Sequence, residues 1–504
     1  MATSFLAGQA QQINPMTEAV IRNYSEILAE DPKDYLTLYD RASQYYNIGD
    51  YDRALSDLDM ALQYTPESEK AYRQAEYSLK ADILSTQKKY EESIAATNAA
   101  LNVDPASQPD LYRLGNLYLL VEKPEEALKA FDRLQRENSR SQEGFYGMAK
   151  ANVQLGRKDE AEKLIKEIEN LGKQSFITYC RIGDLYADMG NVQEATTNYA
   201  IAYSMEDGNP RPVESLKYLA RKNPRPVLEI IESIIQSKPD NIPVRYLNAI
   251  IAYDAGMYPH AEKAVKELAT AMDEDSAAVY RMMAMSQLAQ NKLDEALQSI
   301  ETAERLAPGS AGVLVDKAEI LLNQNPEKAY QVATEALKLN NDESTLMLGA
   351  NAAMLSGKYD QATEYLNEVV LINPANAEAL LLRGYLNTEY KKDGKAGVAD
   401  YTRAGNVNQD GSVANMVYAA LGKSKVNKKL DADGLINQAT AKAGKNKDDL
   451  YLIAIYFAQT GNLEKSKEYV DKALENGYSN VYNLVGNNSP LFNLSPIHHL
   501  LVKQ

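Results

Sequence analysis

Tryptophan is absent from the chain, phenylalanine occurs 6 times and cysteine once, whereas tyrosine occurs 34 times. The one cysteine, Cys180, excludes an internal disulfide and a thiolate metal cluster, which leaves the redox compartment open. The three histidines, His260, His498 and His499, have no cysteine or acidic partner at metal-ligand spacing, so no metal site is expected. Apolar runs of about 18 residues are missing, and with them any expected membrane span. Basic side chains are in deficit, 54 against 70 acidic ones, for a net charge of −16. Phosphate binding needs a basic face, which argues against nucleic acid as the partner.

What is present points to shallow burial. At 504 residues the chain exceeds one ordinary globular core, so several domains or a repeat array is expected. Apolar residues make up 45% and charged ones 25%, the balance of a folded chain. Tyrosine joins a large ring to a polar tip and suits half-buried positions.

Repetition is the dominant signal. The stretch GDYDRALSDLDMALQYTP at 49–66 aligns without a gap on GKYDQATEYLNEVVLINP at 357–374. Pro32 and Pro66 are 34 residues apart, and Ala42, Tyr45, Gly49, Tyr51, Ala54, Leu58 and Ala61 lie between them. With the unit numbered so that its last proline is position 32, small residues fall at 8 and 20. Large residues fall at 11, 17 and 24, Gly at 15 and Ala at 27. Positions 4, 7, 8 and 11 share one face of a first helix, and 20, 24 and 27 one face of a second. Small residues at 8 and 20 let the two backbones approach. Gly at 15 caps the first helix, and the proline ends the second.

The pattern resembles the tetratricopeptide repeat. Near-register copies continue through Ala81, Gly115, Ala149, Gly183, Ala249, Ala284, Ala350 and Ala454, with weaker ones near 208–241, 311–342, 377–409 and 411–446. The resemblance implies an all-α fold, an α-α superhelix or solenoid of about a dozen helix-turn-helix repeats. We expect a tail or signal-peptide remnant at 1–15, one array at 16–207, a second at 208–476 and a capping segment at 477–504. Degenerate repeats are expected near 208–241, with short helices behind Asn209 and Asn223, and near 405–447, with a longer loop. Gly8 and Ala10 are spaced as at a cleavage site, although a basic start and a long apolar stretch are missing. This suggests a longer natural leader and export to the periplasm or cell envelope; the alternative is a cytoplasmic chain.

Chemistry is hard to find. Gly422-Lys423-Ser424 ends like a phosphate loop, but Val417 stands where such a loop needs glycine. Cys180 reads as a structural thiol, and Asp184 with Asp188 as an ordinary helix-surface pair. No nucleophile with a base and no cofactor loop is present, so neither catalysis nor a cofactor is expected.

In the family, the first helices line a groove through positions 2, 5, 9, 12 and 13. Carried over by register, that face holds Tyr39, Ser43, Tyr46 and Asn47, then Ser78 and Asp82, Tyr112 and Asn116, Tyr146 and Lys150, and Asp184 and Asp188. Later copies add Tyr246, Tyr253, Asp254, Arg281, Asn351, Glu378, Tyr385 and Tyr451. The lysines and asparagines with which some relatives clamp a chaperone's terminal carboxylate are missing. A groove rich in tyrosine and acid suits a peptide or helix with apolar and basic anchors. The expected function is a non-catalytic scaffold for a protein or peptide. A cytoplasmic assembly factor or co-chaperone and an accessory subunit of an enzyme complex are the alternatives.

Overall fold

Helices in this chain begin where a short polar side chain receives the first free backbone donors. Asp34 accepts from the N–H groups of Leu36 and Thr37, Ser141 from Gly144, Asn191 from Glu194, and Asn446 from Asp448 and Asp449. Between paired helices the chain turns through a residue of positive φ. Gly49, Gly156, Gly190, Gly256, Gly357 and Gly461 do so at 71° to 82°. In five other turns Lys88, Glu122, Asn291, Lys392 and Asn427 take that conformation, at 57° to 63°. The sequence pattern fades in those copies because the turn tolerates a side chain there.

The computed structural model describes residues 15–171, 175–221, 223–272, 275–322, 324–407 and 411–478. Among them are 27 α-helices, one π-helical turn (Leu386–Tyr390) and no strand. The chain divides into two units, Met1–Leu219 and Ala220–Gln504. In the first, α1 (Pro15–Glu30) precedes five pairs. These are α2 and α3 (Tyr35–Asn47, Tyr51–Tyr64), α4 and α5 (Lys70–Thr86, Tyr90–Val103), and α6 and α7 (Gln108–Leu120, Pro124–Glu137). Next come α8 and α9 (Gln142–Gln154, Lys158–Leu171) and α10 and α11 (Phe176–Asp188, Val192–Met205), followed by α12 (Pro210–Ala220). The second unit starts with α13 (Pro224–Ser237) and continues through seven pairs. These are α14 and α15 (Ile242–Asp254, Tyr258–Ala271), α16 and α17 (Ala277–Leu288, Leu293–Leu306), and α18 and α19 (Ala311–Leu321, Pro326–Leu339). The rest are α20 and α21 (Glu343–Leu355, Tyr359–Ile372), α22 and α23 (Ala377–Tyr385, Gly394–Gly405), α24 and α25 (Val413–Lys425, Lys429–Ala443), and α26 and α27 (Lys447–Gln459, Leu463–Glu475).

Several details differ from the sequence reading. The division between units falls between Leu219 and Ala220, at the end of α12 and within the 205–226 stretch where the sequence places a boundary, although the second array was expected to begin at 208. Of the two helices expected to be short, α12 has 11 residues but α13 has 14, because its apolar face supports a full-length second helix. Region 405–447 contains a complete pair, α24 and α25, joined by only three residues, 426–428, rather than by a long loop. Lys425, Lys428 and Lys429 stand exposed around that turn. The leader-like stretch 1–14 and the expected closing segment from 479 onward lie outside the described residues, as do His498 and His499. No helix among the described residues is long and apolar enough to cross a membrane.

Paired helices meet through one matched contact. In five pairs position 8 is Ala and position 24 aliphatic: Ala42 with Leu58, Ala149 with Ile165, Ala249 with Val265, Ala284 with Ile300 and Ala350 with Leu366 share buried clusters, while Ala81 has the buried Thr97 at that position. Where position 8 is Gly, the partner is a ring. A Cβ on Gly115 would stand 2.5 Å from Phe131, on Gly183 2.6 Å from Tyr199, and on Gly384 2.7 Å from Tyr401. Gly147 in the next pair closes over the same Phe131 ring. The missing methyl makes room for the larger partner.

Each unit's stack has an inner side. Successive first helices pack on one another, α2 with α4, α6 with α8 and α8 with α10 in the first unit, and α16 with α18, α18 with α20, α22 with α24 and α24 with α26 in the second. Among the described residues no two successive second helices do so to the same extent. The first helices therefore form the concave face of each unit.

Replacing Gly115 with Ala should lower stability by roughly 1–3 kcal/mol through overpacking against Phe131. Adding Phe131→Leu should restore part of that loss, as read from chemical denaturation of the three variants.

Candidate functional site

The polar residues of the first unit's inner face are largely joined to one another. Arg113 on α6 reaches Asp82 on α4 with two hydrogen bonds, at 2.8 and 2.9 Å, and also contacts Asp110 on its own helix. Asp110 is fully buried and accepts from Gln74 and Ser78 of α4 at 2.5 and 2.7 Å. Arg181 on α10 meets Glu143 on α8 at 3.4 Å, and Asp184 accepts from Arg211 of α12 at 2.9 Å and from the Tyr199 hydroxyl at 2.8 Å. The same device recurs in the second unit, where Arg281 on α16 forks onto Asp316 of α18 at 2.6 and 3.2 Å. Tyr418 on α24 donates to Glu378 on α22 at 3.3 Å. These are rungs between neighbouring first helices, with charge matched to charge or hydroxyl.

Ser78, Asp82, Asp184, Arg281 and Glu378 of the predicted groove are thus committed to the stack. Ser43 donates to the carbonyl of Tyr39, and the Asn116 amide to that of Tyr112. Their partners Asp110, Arg113, Arg211, Asp316 and Tyr418 are not among the residues the register places on this face. A signal did exist, an arginine and an acid set about one repeat apart, but many such pairs occur by chance in an array of this length.

Rings remain. Tyr39, Tyr46, Tyr112 and Tyr146 are half-buried along α2, α6 and α8, and Asn47 is exposed. Tyr46 leans on Tyr51 at 6.1 Å and Tyr112 on Phe131 at 6.1 Å, so both also serve the pair contact. Arg181 lies 5.2 Å over the Tyr146 ring. Burial, with Asp184, Tyr112 and Asp188 nearby, pushes the Tyr146 hydroxyl up to about 12, so it stays neutral. Burial also raises Asp188, an effect opposed by Lys150 across from it. The face that results is aromatic, with most of its charge already paired.

The second unit brings fewer of the predicted residues into the open. Tyr253 packs edge-on against Tyr258 at 5.6 Å, and Lys447 at the start of α26 lies 5.5 Å over that Tyr258 ring. The unit's own last pair therefore reaches its first, which narrows this inner face. Tyr246, Asn351 and Tyr385 are half-buried and Asp254 is exposed. Tyr451 departs from expectation. It is fully buried and stacks on Tyr478 at 4.2 Å, because the chain following α27 returns over α26, so it packs the end of the stack and lines no groove.

The other residues weighed for chemistry sit in structural settings. Cys180 is buried, and burial pushes its thiol up to about 11. His260 lies 3.5 Å from Glu232 on the surface of α15. Gly422-Lys423-Ser424 is helical, and Gly422 allows α24 to cross α23 closely, with a Cβ there only 2.6 Å from the Gly405 nitrogen. Among the described residues no cluster of three His, Cys, Asp or Glu side chains is placed to hold a metal.

Tetratricopeptide repeat family models match residues 77–107, 112–175, 246–311, 281–343 and 345–376. Among curated proteins, cellulose synthase operon protein C of Pseudomonas fluorescens (strain SBW25) is 24% identical over 256 residues, 44% of this chain and 19% of that protein. The chain thus spans about a fifth of that relative's length. Among solved structures, yeast Tom70 is similar with a TM-score of 0.40 and 14% identity, over 94% of this chain and 97% of that one. A tetratricopeptide repeat protein from Parabacteroides merdae ATCC 43184 is similar with a TM-score of 0.31 and 18% identity, over 60% and 98%.

One buried acid gives a pH test of the first unit. Glu76 is fully buried, accepts from the Thr65 hydroxyl and has its second oxygen unpaired. Burial raises its carboxyl above the usual 4.5, with the Thr65 bond and Arg73 opposing. A raised folded value means that stability is full below pH 4.5 and falls as the pH climbs through the folded value. Glu76→Gln should therefore melt higher than the parent at pH 7, and the gap should close in scans below pH 4.5.

Proposed function

We propose, for a chain that belongs to the tetratricopeptide repeat family and is in general terms a protein-interaction scaffold, that the inner face of its first unit holds an extended peptide or a partner helix. The observation that carries this reading is the set of half-buried rings, Tyr39, Tyr112 and Tyr146, on first helices whose charges are mostly paired already. Such a face offers large, rigid, amphipathic contact area and little fixed charge, which suits apolar anchors. Basic anchors fit less well than the sequence suggests, since Arg113 and Arg211 already neutralise Asp82 and Asp184. The role is non-catalytic, as is general for this family. A cell-envelope setting belongs to the proposal, supported by the spacing of Gly8 and Ala10; mapping the mature N-terminus checks it. An accessory role beside an enzyme is the second reading, favoured by the name of the Pseudomonas fluorescens relative.

Panning a random peptide library against the full chain tests the groove. Peptides with aromatic or aliphatic anchors should be enriched. Their affinity should fall about tenfold or more when Tyr39, Tyr112 and Tyr146 are changed together to Ser, with helicity unchanged. Equal binding by that variant would place the ligand elsewhere.

A further inference from the structure

Position 4 of the first helix is Leu, Tyr, Phe or Met in eleven of the twelve complete pairs, as at Leu38, Leu111, Leu346 and Leu380, all fully or nearly fully buried. In α14 alone it is Arg245, and position 7 of the same helix is Asn248. Where the other pairs insert an apolar plug, this one leaves a cavity of about 680 Å³ bounded by α13, α14 and α15. Arg245 turns to the rim, where its Nε donates to the Pro239 carbonyl at 2.8 Å, and none of the described carboxylates pairs with it. Asn248 lines the cavity at 3% exposure, and its side-chain Oδ1 is buried without a hydrogen-bond partner. A buried amide left unpaired is a destabilising feature that a packed repeat would not need.

We infer that this cavity is a recognition site for a carboxylate carried beside amide N–H donors, as at the C-terminus of a peptide. Arg245 is held at Nε with its two terminal nitrogens unpaired, the fork that grips a carboxylate through parallel hydrogen bonds. Asn248 lies one turn along the same face and adds amide hydrogen bonds. Lys263 and Lys266 add positive charge that is already partly matched, Lys263 by Glu267 at 3.7 Å and Lys266 by Glu262 at 2.6 Å, so Arg245 is the main grip. Glu232 and Glu267 also line the cavity; they repel a phosphate cluster and attract N–H donors, which selects a peptide end over a polyanion. The site is bounded by the second helices α13 and α15 and does not depend on the tyrosine face of the first unit, so the two assignments stand or fall separately.

Calorimetric titration and thermal shift of the full chain use N-acetyl-L-amino acids, their C-terminal amides, and glutarate. The acids should bind and raise the melting temperature, and the amides should not. Arg245→Gln and Asn248→Leu should each weaken binding about tenfold or more. Asn248→Leu should also raise the melting temperature of the ligand-free chain, which a purely structural asparagine would not do. Binding of glutarate alone would assign an acidic side chain, not a terminus, as the carboxylate's source. Amides binding as well as acids, no carboxylate binding at millimolar concentration, or variants that bind like the parent would overturn the assignment.

Discussion

Close approach of two helices within each pair is the constraint on which the rest of the chain depends. The approach is set by the summed size of two side chains, one from each helix, so a methyl lost on one side appears as a ring on the other. Gly115 with Phe131 and Ala42 with Leu58 are two solutions of the same packing problem. Because each pair solves it locally, neighbouring copies can drift apart in sequence and still stack, which is how repeat arrays tolerate divergence.

Stacking then needs a second device, and the inner-face rungs provide it. Asp82 with Arg113, Asp184 with Arg211 and Arg281 with Asp316 each span neighbouring first helices. A charged residue on a concave face is easily taken for a ligand contact. Here most such residues hold the face together, and the half-buried tyrosines are left as its contact area. The exception to the packing rule, Arg245, lies away from this face and opens the one place where an apolar plug is replaced by a charge.

Much of the fold was legible in the sequence because its determinants are local. The offsets of Ala42, Gly49, Ala54 and Leu58 encode two helices and a turn, and the structure builds them at those positions. Less legible was anything that depends on a neighbouring repeat or on an inserted residue. The π-helical turn at Leu386–Tyr390 shifts the register of its pair by one, so Gly384 and Tyr401 are 17 residues apart where Gly115 and Phe131, and Gly183 and Tyr199, are 16. Tyr451 follows the groove register but is covered by the chain returning through Tyr478. The rungs join residues about a full repeat apart, beyond the reach of helix periodicity. Arg245 and Asn248 were visible as polar residues at core positions, but their consequence, a cavity, is not a property of sequence.

The most direct measurement takes an Ala–aliphatic pair and converts it to the Gly–aromatic kind. Ala149→Gly and Ile165→Phe should each destabilise the chain alone, one by leaving a void and the other by overpacking. Combined, they should recover, with a coupling of about 1 kcal/mol or more in a double-mutant cycle. Strictly additive losses would contradict the account, since they would mean that the two positions do not share the space on which the stack is built.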